Sequence, residues 1–192
     1  MEFLLSFETL VDVLLAALAY LLYKLLGKRP WSFWGAVLAL YLSLVFSVTG
    51  LPSIQYLTFD CTVNLVPFSD FRDSRFWYLS ALNMIMTVPL GVLLPLAFQK
   101  YRRFTPTLLA GLFTSLTIEI LQLFCFRATD IDDLILNTLG TVLGFFLGKL
   151  LFSRLWPRCG DKKDGYPLLI AMLILLCFFL RQPLYGMPYL FS

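Results

Sequence analysis

Six apolar stretches separated by polar links dominate the pattern of this chain. They cover approximately residues 7–26, 31–50, 78–98, 106–126, 134–151 and 167–180. A helix of about 20 predominantly apolar residues is long enough to cross the hydrocarbon core of a bilayer. The pattern therefore predicts an all-α, polytopic transmembrane helical bundle of about six spans, of which the last is the shortest.

The first stretch has a second interpretation, because residues 15–19 resemble the small-residue cleavage region of a signal peptide. The start of a signal peptide is basic. Here, the residues before the stretch include Glu2 and Glu8 but no Lys or Arg. We therefore favour an uncleaved span.

The composition agrees with a membrane protein and excludes an ordinary soluble domain. Of the 192 residues, 59% are hydrophobic and 14% are charged, and the mean hydropathy is +0.81. Soluble domains carry about 25% charged residues. Six spans leave no room for a separate soluble domain. We divide the chain into a first helix and its link (1–34), a membrane core (35–152), and a link with the last helix (153–192).

The basic residues predict the orientation of the spans. Eleven of the fifteen Lys and Arg residues lie in or beside the links that follow the first, third and fifth stretches. The positive-inside rule assigns such links to the cytoplasm. We therefore predict an N-out and C-out topology, in which segments 51–77 and 127–133 face outward. The net charge of +3 is too small and too scattered to predict binding to nucleic acid.

A polar constellation lies at the predicted outer end of the fourth and fifth spans. Helical spacing puts Glu119 and Gln122 on one face of the fourth span, and Asp133 and Asn137 on one face of the fifth. Because the connecting turn is short, the two helices are predicted to be antiparallel neighbours. Arg127, Asp130 and Asp132 then lie together at the outer end of this helical hairpin.

Two interpretations of this constellation remain open. In one, Arg127 pairs with Asp130 or Asp133 and simply closes the hairpin. In the other, the polar groups line a pocket that binds a ligand, since polar groups within a span normally face a bundle interior or a wet cavity. We favour the pocket, because an ion pair at the outer end does not require Glu119 and Gln122 deeper in the span.

Other positions in the spans contribute to packing or to the same pocket. Asn83 in the third span needs a partner within lipid, so we expect it to face the pocket. Gly140, Gly144 and Gly148 recur every four residues, a spacing that predicts the close approach of another helix.

The outer segment before the third span mixes aromatic and charged residues. Ser69 and Asp70 are predicted to cap a short helix whose Phe71, Phe76 and Trp77 lie in the membrane interface. The segment is then either a plain interfacial loop or a lid over the pocket.

Three motifs occur in order along the core. They are Asn64-Leu-Val-Pro67-Phe68, a run from Asn83 through Pro89 and Gly91 to Pro95, and Glu119-Ile-Leu-Gln122 followed by Arg127, Asp130, Asp132, Asp133, Asn137 and Gly140. Together they resemble the VanZ-like family of small bacterial multi-pass membrane proteins. The resemblance implies a location in the bacterial plasma membrane. It also implies a link to the lipoglycopeptide antibiotic teicoplanin, because the founding member is associated with resistance to it, but it implies no particular reaction.

The main functional hypothesis is a non-enzymatic membrane protein that binds a lipid head group or a lipoglycopeptide-like amphiphile. Binding would affect the cell envelope and susceptibility to teicoplanin-type antibiotics. Arg127 would meet an anionic group, and the aspartates would receive amines or hydroxyls. No cofactor is expected, the partners are membrane lipids, and no oligomeric state is predicted. The candidate ligand-binding residues are Asn64, Asn83, Glu119, Gln122, Arg127, Asp130, Asp132, Asp133 and Asn137.

Two other functions are weaker. An intramembrane enzyme acting on a lipid-linked substrate could hold Mg²⁺ or Mn²⁺ through the carboxylates and use Glu119 as its general acid or base. The chain, however, has no histidine and no nucleophile or phosphate-loop motif. Its four cysteines are too far apart for a zinc or redox motif. A transporter with Glu119 as a proton site is weaker still, because the spans form no visible repeat.

Overall fold

The described part of the fold is a helical bundle with a very short two-stranded sheet at one end. The computed structural model describes residues 33–49, 63–69, 72–124 and 129–156, together with six single positions between 14 and 25. The predicted last span lies outside the described residues, as does most of the predicted first span.

Three of the described helices are long and apolar enough to cross a membrane. The elements in chain order are α1 (Phe33–Val48), β1 (Val63–Asn64), α2 (Ser74–Ala97), a 3-10 helix (Gln99–Arg102), α3 (Phe104–Gln122), β2 (Thr129–Asp130) and α4 (Ile131–Phe152). The candidate spans are Arg75–Ala97, Phe104–Gln122 and Ile131–Phe152. At 1.5 Å per residue they are about 28 to 35 Å long, which matches the hydrocarbon core. The prediction of a helical protein is thus confirmed, and three of its described helices are long and apolar enough to cross a membrane.

Two of the spans begin earlier than the hydrophobic pattern predicted. α2 starts before position 78, because the Asp73 side chain accepts a hydrogen bond from the Arg75 backbone N–H at 2.9 Å. α4 starts before position 134, because Asp130 accepts one from the Asp132 backbone N–H at 2.9 Å. Each aspartate satisfies a free N–H group of the first turn. Both first turns contain charged residues, so hydropathy alone does not mark them as helix.

α2 and α4 run parallel and touch along their backbones. The facing positions, one turn apart, are Met84, Val88 and Val92 on α2 and Gly140, Gly144 and Gly148 on α4. A β-carbon added at Gly144 would lie 1.9 Å from the Val88 carbonyl oxygen, and one added at Gly91 of α2 would lie 2.0 Å from the Thr141 carbonyl oxygen. Only glycine allows so close an approach. The predicted glycine packing is confirmed, and its partner is α2.

α3 packs antiparallel against α4, as the short turn between them predicted. A β-carbon added at Gly111 would lie 2.7 Å from the Thr141 Cβ, and one turn further along α3 the Ser115 hydroxyl donates to the Asp133 carbonyl oxygen at 3.5 Å. α1 completes the described bundle beside α2, where the Tyr41 hydroxyl donates to the Met86 carbonyl oxygen at 2.7 Å.

The bundle carries many large apolar side chains on its outside and several polar ones inside. Leu150 is 78% exposed and Ile85 is 61% exposed, whereas Thr107 and Thr141 are fully buried. Water favours the reverse arrangement, because exposed apolar area raises the free energy of a folded protein in water. The described surface therefore suits a hydrocarbon surrounding.

The glycine contacts predict a difference between two matched variants. We expect Gly144→Ala to lower the free energy of unfolding by about 1–3 kcal/mol, because the new methyl group forces the backbones of α2 and α4 apart. Gly148→Ala is the control, since its β-carbon would lie 3.2 Å from the Val92 Cα and needs only a small shift. Thermal unfolding of the purified protein in detergent measures both variants. Equal destabilisation by the two changes would contradict the proposed packing.

Candidate functional site

The predicted site residues that the structure describes meet at one end of the bundle, where α1 and α3 end and α2 and α4 begin. Here β1 pairs with β2 in parallel, with Val63 opposite Thr129 and Asn64 opposite Asp130. The pairing joins the chain that leads into α2 to the chain that leads into α4. We call this end the polar end.

Residues 63–69 lie against the first turn of α4, and we call this segment the cover. The Phe68 backbone N–H donates to both carboxylate oxygens of Asp132, at 2.9 and 3.0 Å. Phe68 has a φ of 58°, a left-handed conformation that is uncommon for residues other than glycine. Asp132 is only 2% exposed, so water competes little for this charge-assisted contact. The buried carboxylate therefore holds the cover in a conformation that is otherwise unfavourable.

Asn64 fixes the rest of the cover through both groups of its side-chain amide. The amide nitrogen donates to the Ser69 hydroxyl oxygen at 2.8 Å and to the Asp130 carboxylate at 3.2 Å. The amide oxygen accepts from the Val66 backbone N–H at 3.1 Å. The prediction that Ser69 caps a short separate helix is wrong. The Ser69 hydroxyl oxygen is used by Asn64, and Asp73 caps the helix that follows.

The three aspartates around the first turn of α4 all accept hydrogen bonds from the protein. Asp130 caps the helix and Asp132 holds the cover, while the Asp133 carboxylate accepts from the Asn83 side-chain amide of α2. Negative charge at a helix N-terminus is also favourable, because the free N–H groups there carry partial positive charge. The sequence assigned these aspartates to a ligand, whereas the structure gives each of them a structural contact.

Glu119 and Gln122 connect the end of α3 to its neighbours at the polar end. One Glu119 carboxylate oxygen accepts from the Asp130 backbone N–H at 3.2 Å. The Gln122 amide donates to the Thr49 carbonyl oxygen, just beyond α1, at 3.5 Å. The two side chains are 4% and 5% exposed. Both predicted residues are therefore buried within the bundle and do not lie on its outer surface.

Asn137 lies one turn deeper than Asp133 in α4 and is the innermost of the predicted site residues in that helix. It is 3% exposed, and its side-chain oxygen makes no hydrogen bond to any residue that the structure describes. A buried amide oxygen without a partner is unfavourable by about 1–3 kcal/mol. Asn137 therefore offers an acceptor inside the bundle that the described protein does not use.

We call the eight described site residues the polar cluster: Asn64, Asn83, Glu119, Gln122, Asp130, Asp132, Asp133 and Asn137. The ninth, Arg127, lies outside the described residues, so its pairing with an aspartate stays a prediction. Sequence reasoning missed Ser115, which is 1% exposed and lies one turn before Glu119 on the same face. The four-residue spacing between Ser115 and Glu119 was the signal in the sequence that could have identified Ser115. A backbone contact at the polar end was also not predicted, although the Phe68 backbone N–H donates to Asp132.

The carboxylates of the polar cluster are not arranged as a metal site. Among the described residues, no group of three or more His, Cys, Asp or Glu side chains is placed to hold a metal ion. The described geometry thus gives no support to the carboxylate-held Mg²⁺ or Mn²⁺ of the enzyme hypothesis.

Comparison with known proteins adds the family to this geometry. The sequence profile of the VanZ/LLP1 family matches residues 37–152, a range that contains α2, α3, α4 and the whole polar cluster. The chain belongs to this family. Protein VanZ of Enterococcus faecium is a relative that is 34% identical over 119 residues, which are 59% of this chain and 67% of that protein. No solved structure matches the chain. The polar cluster is therefore a feature of a VanZ/LLP1 protein with apolar spans.

The cover predicts a specific effect of Asp132. We expect Asp132→Ala to lower the free energy of unfolding by about 1–3 kcal/mol, because it leaves the Phe68 N–H without its acceptors. Hydrogen exchange at the Phe68 amide should accelerate in parallel. Asp73→Ala is the control, because it removes an exposed cap at the start of α2 and leaves Phe68 untouched. Unchanged exchange at Phe68 in the Asp132 variant would refute this role.

Proposed function

We propose that this VanZ-like protein binds the polar head group of a lipid or of a lipoglycopeptide-like amphiphile at the polar cluster. Binding alters the cell envelope and lowers susceptibility to teicoplanin-type antibiotics. Family membership supports the envelope role. The burial of Glu119, Gln122, Asp132 and Asn137 in helices long and apolar enough to cross a membrane supports a site that receives part of an amphiphile from the adjacent leaflet.

The unused acceptor of Asn137 carries the proposal. The aspartates, Asn64 and Asn83 have hydrogen-bond partners within the protein, so structural contacts explain their presence. The Asn137 oxygen lies below them with no described partner, and a hydroxyl or amine of a head group is the complement of such an oxygen. Ligand binding would satisfy it, which is a reason for keeping an asparagine at this depth.

The proposal includes an orientation. The protein is multi-pass in the bacterial plasma membrane, with six spans, both termini outside and the polar end facing outward. The distribution of Lys and Arg supports this, because Lys100, Arg102 and Arg103 lie between α2 and α3, at the opposite end. An outward polar end meets the leaflet that an external antibiotic reaches first.

Two exposed serines at opposite ends of the bundle test the orientation. In a variant without the native cysteines, we expect Ser69→Cys to react with a membrane-impermeant maleimide in intact cells. Ser153→Cys should react only after the cells are permeabilised. The reverse pattern would show that the polar end faces the cytoplasm and would remove the basis for binding at the outer leaflet.

Asn137→Leu separates ligand binding from folding. A leucine of similar size removes no described hydrogen bond of the side-chain oxygen, so we expect an unchanged or raised unfolding midpoint. The affinity of the purified protein for teicoplanin should fall about tenfold or more, and the effect on susceptibility in a glycopeptide-susceptible host should be lost. Thr138→Val, on the next position of α4, is the control. Full binding by Asn137→Leu would contradict the proposal.

The burial of Glu119 in a candidate membrane span favours two alternatives, a proton-coupled transporter and an acid–base enzyme. Glu119→Gln keeps an oxygen that accepts the Asp130 N–H but removes the titratable group. Under the binding proposal, we expect both the affinity for teicoplanin and the susceptibility of the host to stay near those of the unchanged protein. Unchanged affinity with a lost effect on susceptibility would favour one of these alternatives over binding alone.

A further inference from the structure

The end of the bundle opposite the polar cluster is basic, and we call it the basic end. Its cations lie in the link between α2 and α3 and at the end of α4: Lys100, Arg102, Arg103, Lys149 and Arg154. The described residues 33–49, 97–118 and 134–156 contain no Asp or Glu. Positive charge is therefore not balanced within the described part of this end.

Arg103 is the unusual member of the group. It is the N-cap residue of α3, makes no capping hydrogen bond with its side chain, and is followed by a first turn without acidic residues. A cation at a helix N-terminus is unfavourable, because the free N–H groups there carry partial positive charge. An anion bound beside Arg103 would remove this conflict.

The other cations at this end have different contacts. Arg102 donates from its Nε to the Pro95 carbonyl oxygen at 3.4 Å and so satisfies a carbonyl group in the last turn of α2. Lys149 lies in the last turn of α4, a position that favours a cation. Neither Arg103 nor Lys149 makes an ion pair with a described residue, and both are exposed. Their charges remain available to an external anion.

Aromatic packing brings the start of α3 to the last two turns of α4. The Phe104 ring lies 5.8 Å from the Phe145 ring and 5.7 Å from the Phe146 ring, measured between centroids. Lys149 follows Phe145 by one turn on α4. Arg103 and Lys149 are thus held next to one aromatic cluster.

Trp156 adds a buried donor to the same cluster. Its ring lies 6.2 Å from that of Phe145, the residue is 8% exposed, and its indole N–H has no hydrogen-bond partner among the described residues. A buried indole N–H normally finds a partner. The basic end therefore combines two exposed cations, a helix N-terminus and a buried indole N–H without a described partner.

We propose that the basic end binds the phosphate of an anionic phospholipid, with Arg103 and Lys149 as the charged contacts. A lipid phosphate lies where the apolar surface of a spanning helix ends, and juxtamembrane Lys and Arg attract anionic lipids. Its acyl chains lie along the apolar face of α4, where Phe146 is 53% and Leu150 is 78% exposed. This apolar path distinguishes a lipid from a free phosphate ion.

Lipid-dependent stability of the purified full chain tests the site. The unfolding midpoint is measured in detergent with added phosphatidylglycerol, phosphatidylcholine or inorganic phosphate. We expect only phosphatidylglycerol to raise the midpoint. In the double variant Arg103→Gln/Lys149→Gln, the concentration needed for half of the rise should increase about tenfold or more. Arg75→Gln removes one exposed cation at the polar end and is the control for the loss of positive charge elsewhere on the protein.

The outcomes separate the proposal from simpler effects. The site is supported if phosphatidylglycerol no longer raises the unfolding midpoint of the double variant but still raises that of Arg75→Gln. Arg103→Lys keeps the charge, so a retained rise in this variant also supports the site. An equal loss in the double variant and in Arg75→Gln would mean an unspecific effect of net charge and would overturn the proposal. A rise with inorganic phosphate equal to that with phosphatidylglycerol would overturn the lipid assignment.

Discussion

The backbone contact between α2 and α4 determines where the other parts of the described structure lie. Glycines allow the two helices to run side by side in parallel. α3, which lies between them along the chain, runs in the opposite direction. As a result, the N-termini of α2 and α4 lie at the same end of the bundle. Asn83 can then reach Asp133, and the chain before α2 can pair with the chain before α4. A bulkier residue at Gly91 or Gly144 would separate these groups.

The polar end shows how a bundle with an apolar surface accommodates charge. A carboxylate within or beside the hydrocarbon core is favourable only when donors replace its water. Here the donors are backbone N–H groups and side-chain amides, including the N–H of Phe68 and the amides of Asn64 and Asn83. The charges stabilise the ends of helices and the cover, so most of the polar cluster is explained by structure. This explanation does not cover the Asn137 side-chain oxygen, which has no described partner.

The sequence predicted the parts of the fold that depend on composition along one helix. Apolar length identified α2, α3 and α4, and the spacing of Gly140, Gly144 and Gly148 indicated a close helix contact. It did not identify α2 as the partner, because Met84, Val88 and Val92 form an ordinary apolar face. The same limit applies to the polar cluster. Its residues were found from spacing, but the partner of Asp132 is a backbone N–H, which every residue except proline carries.

The decisive measurement is a structure of the protein purified with its native lipids, because ligand binding at the polar cluster depends on the partner of one buried atom. We expect a head group at the polar end, with a hydroxyl or amine within hydrogen-bond distance of the Asn137 side-chain oxygen. A structure in which that oxygen accepts a hydrogen bond from another side chain of this protein, with no ligand between α2, α3 and α4, would contradict it.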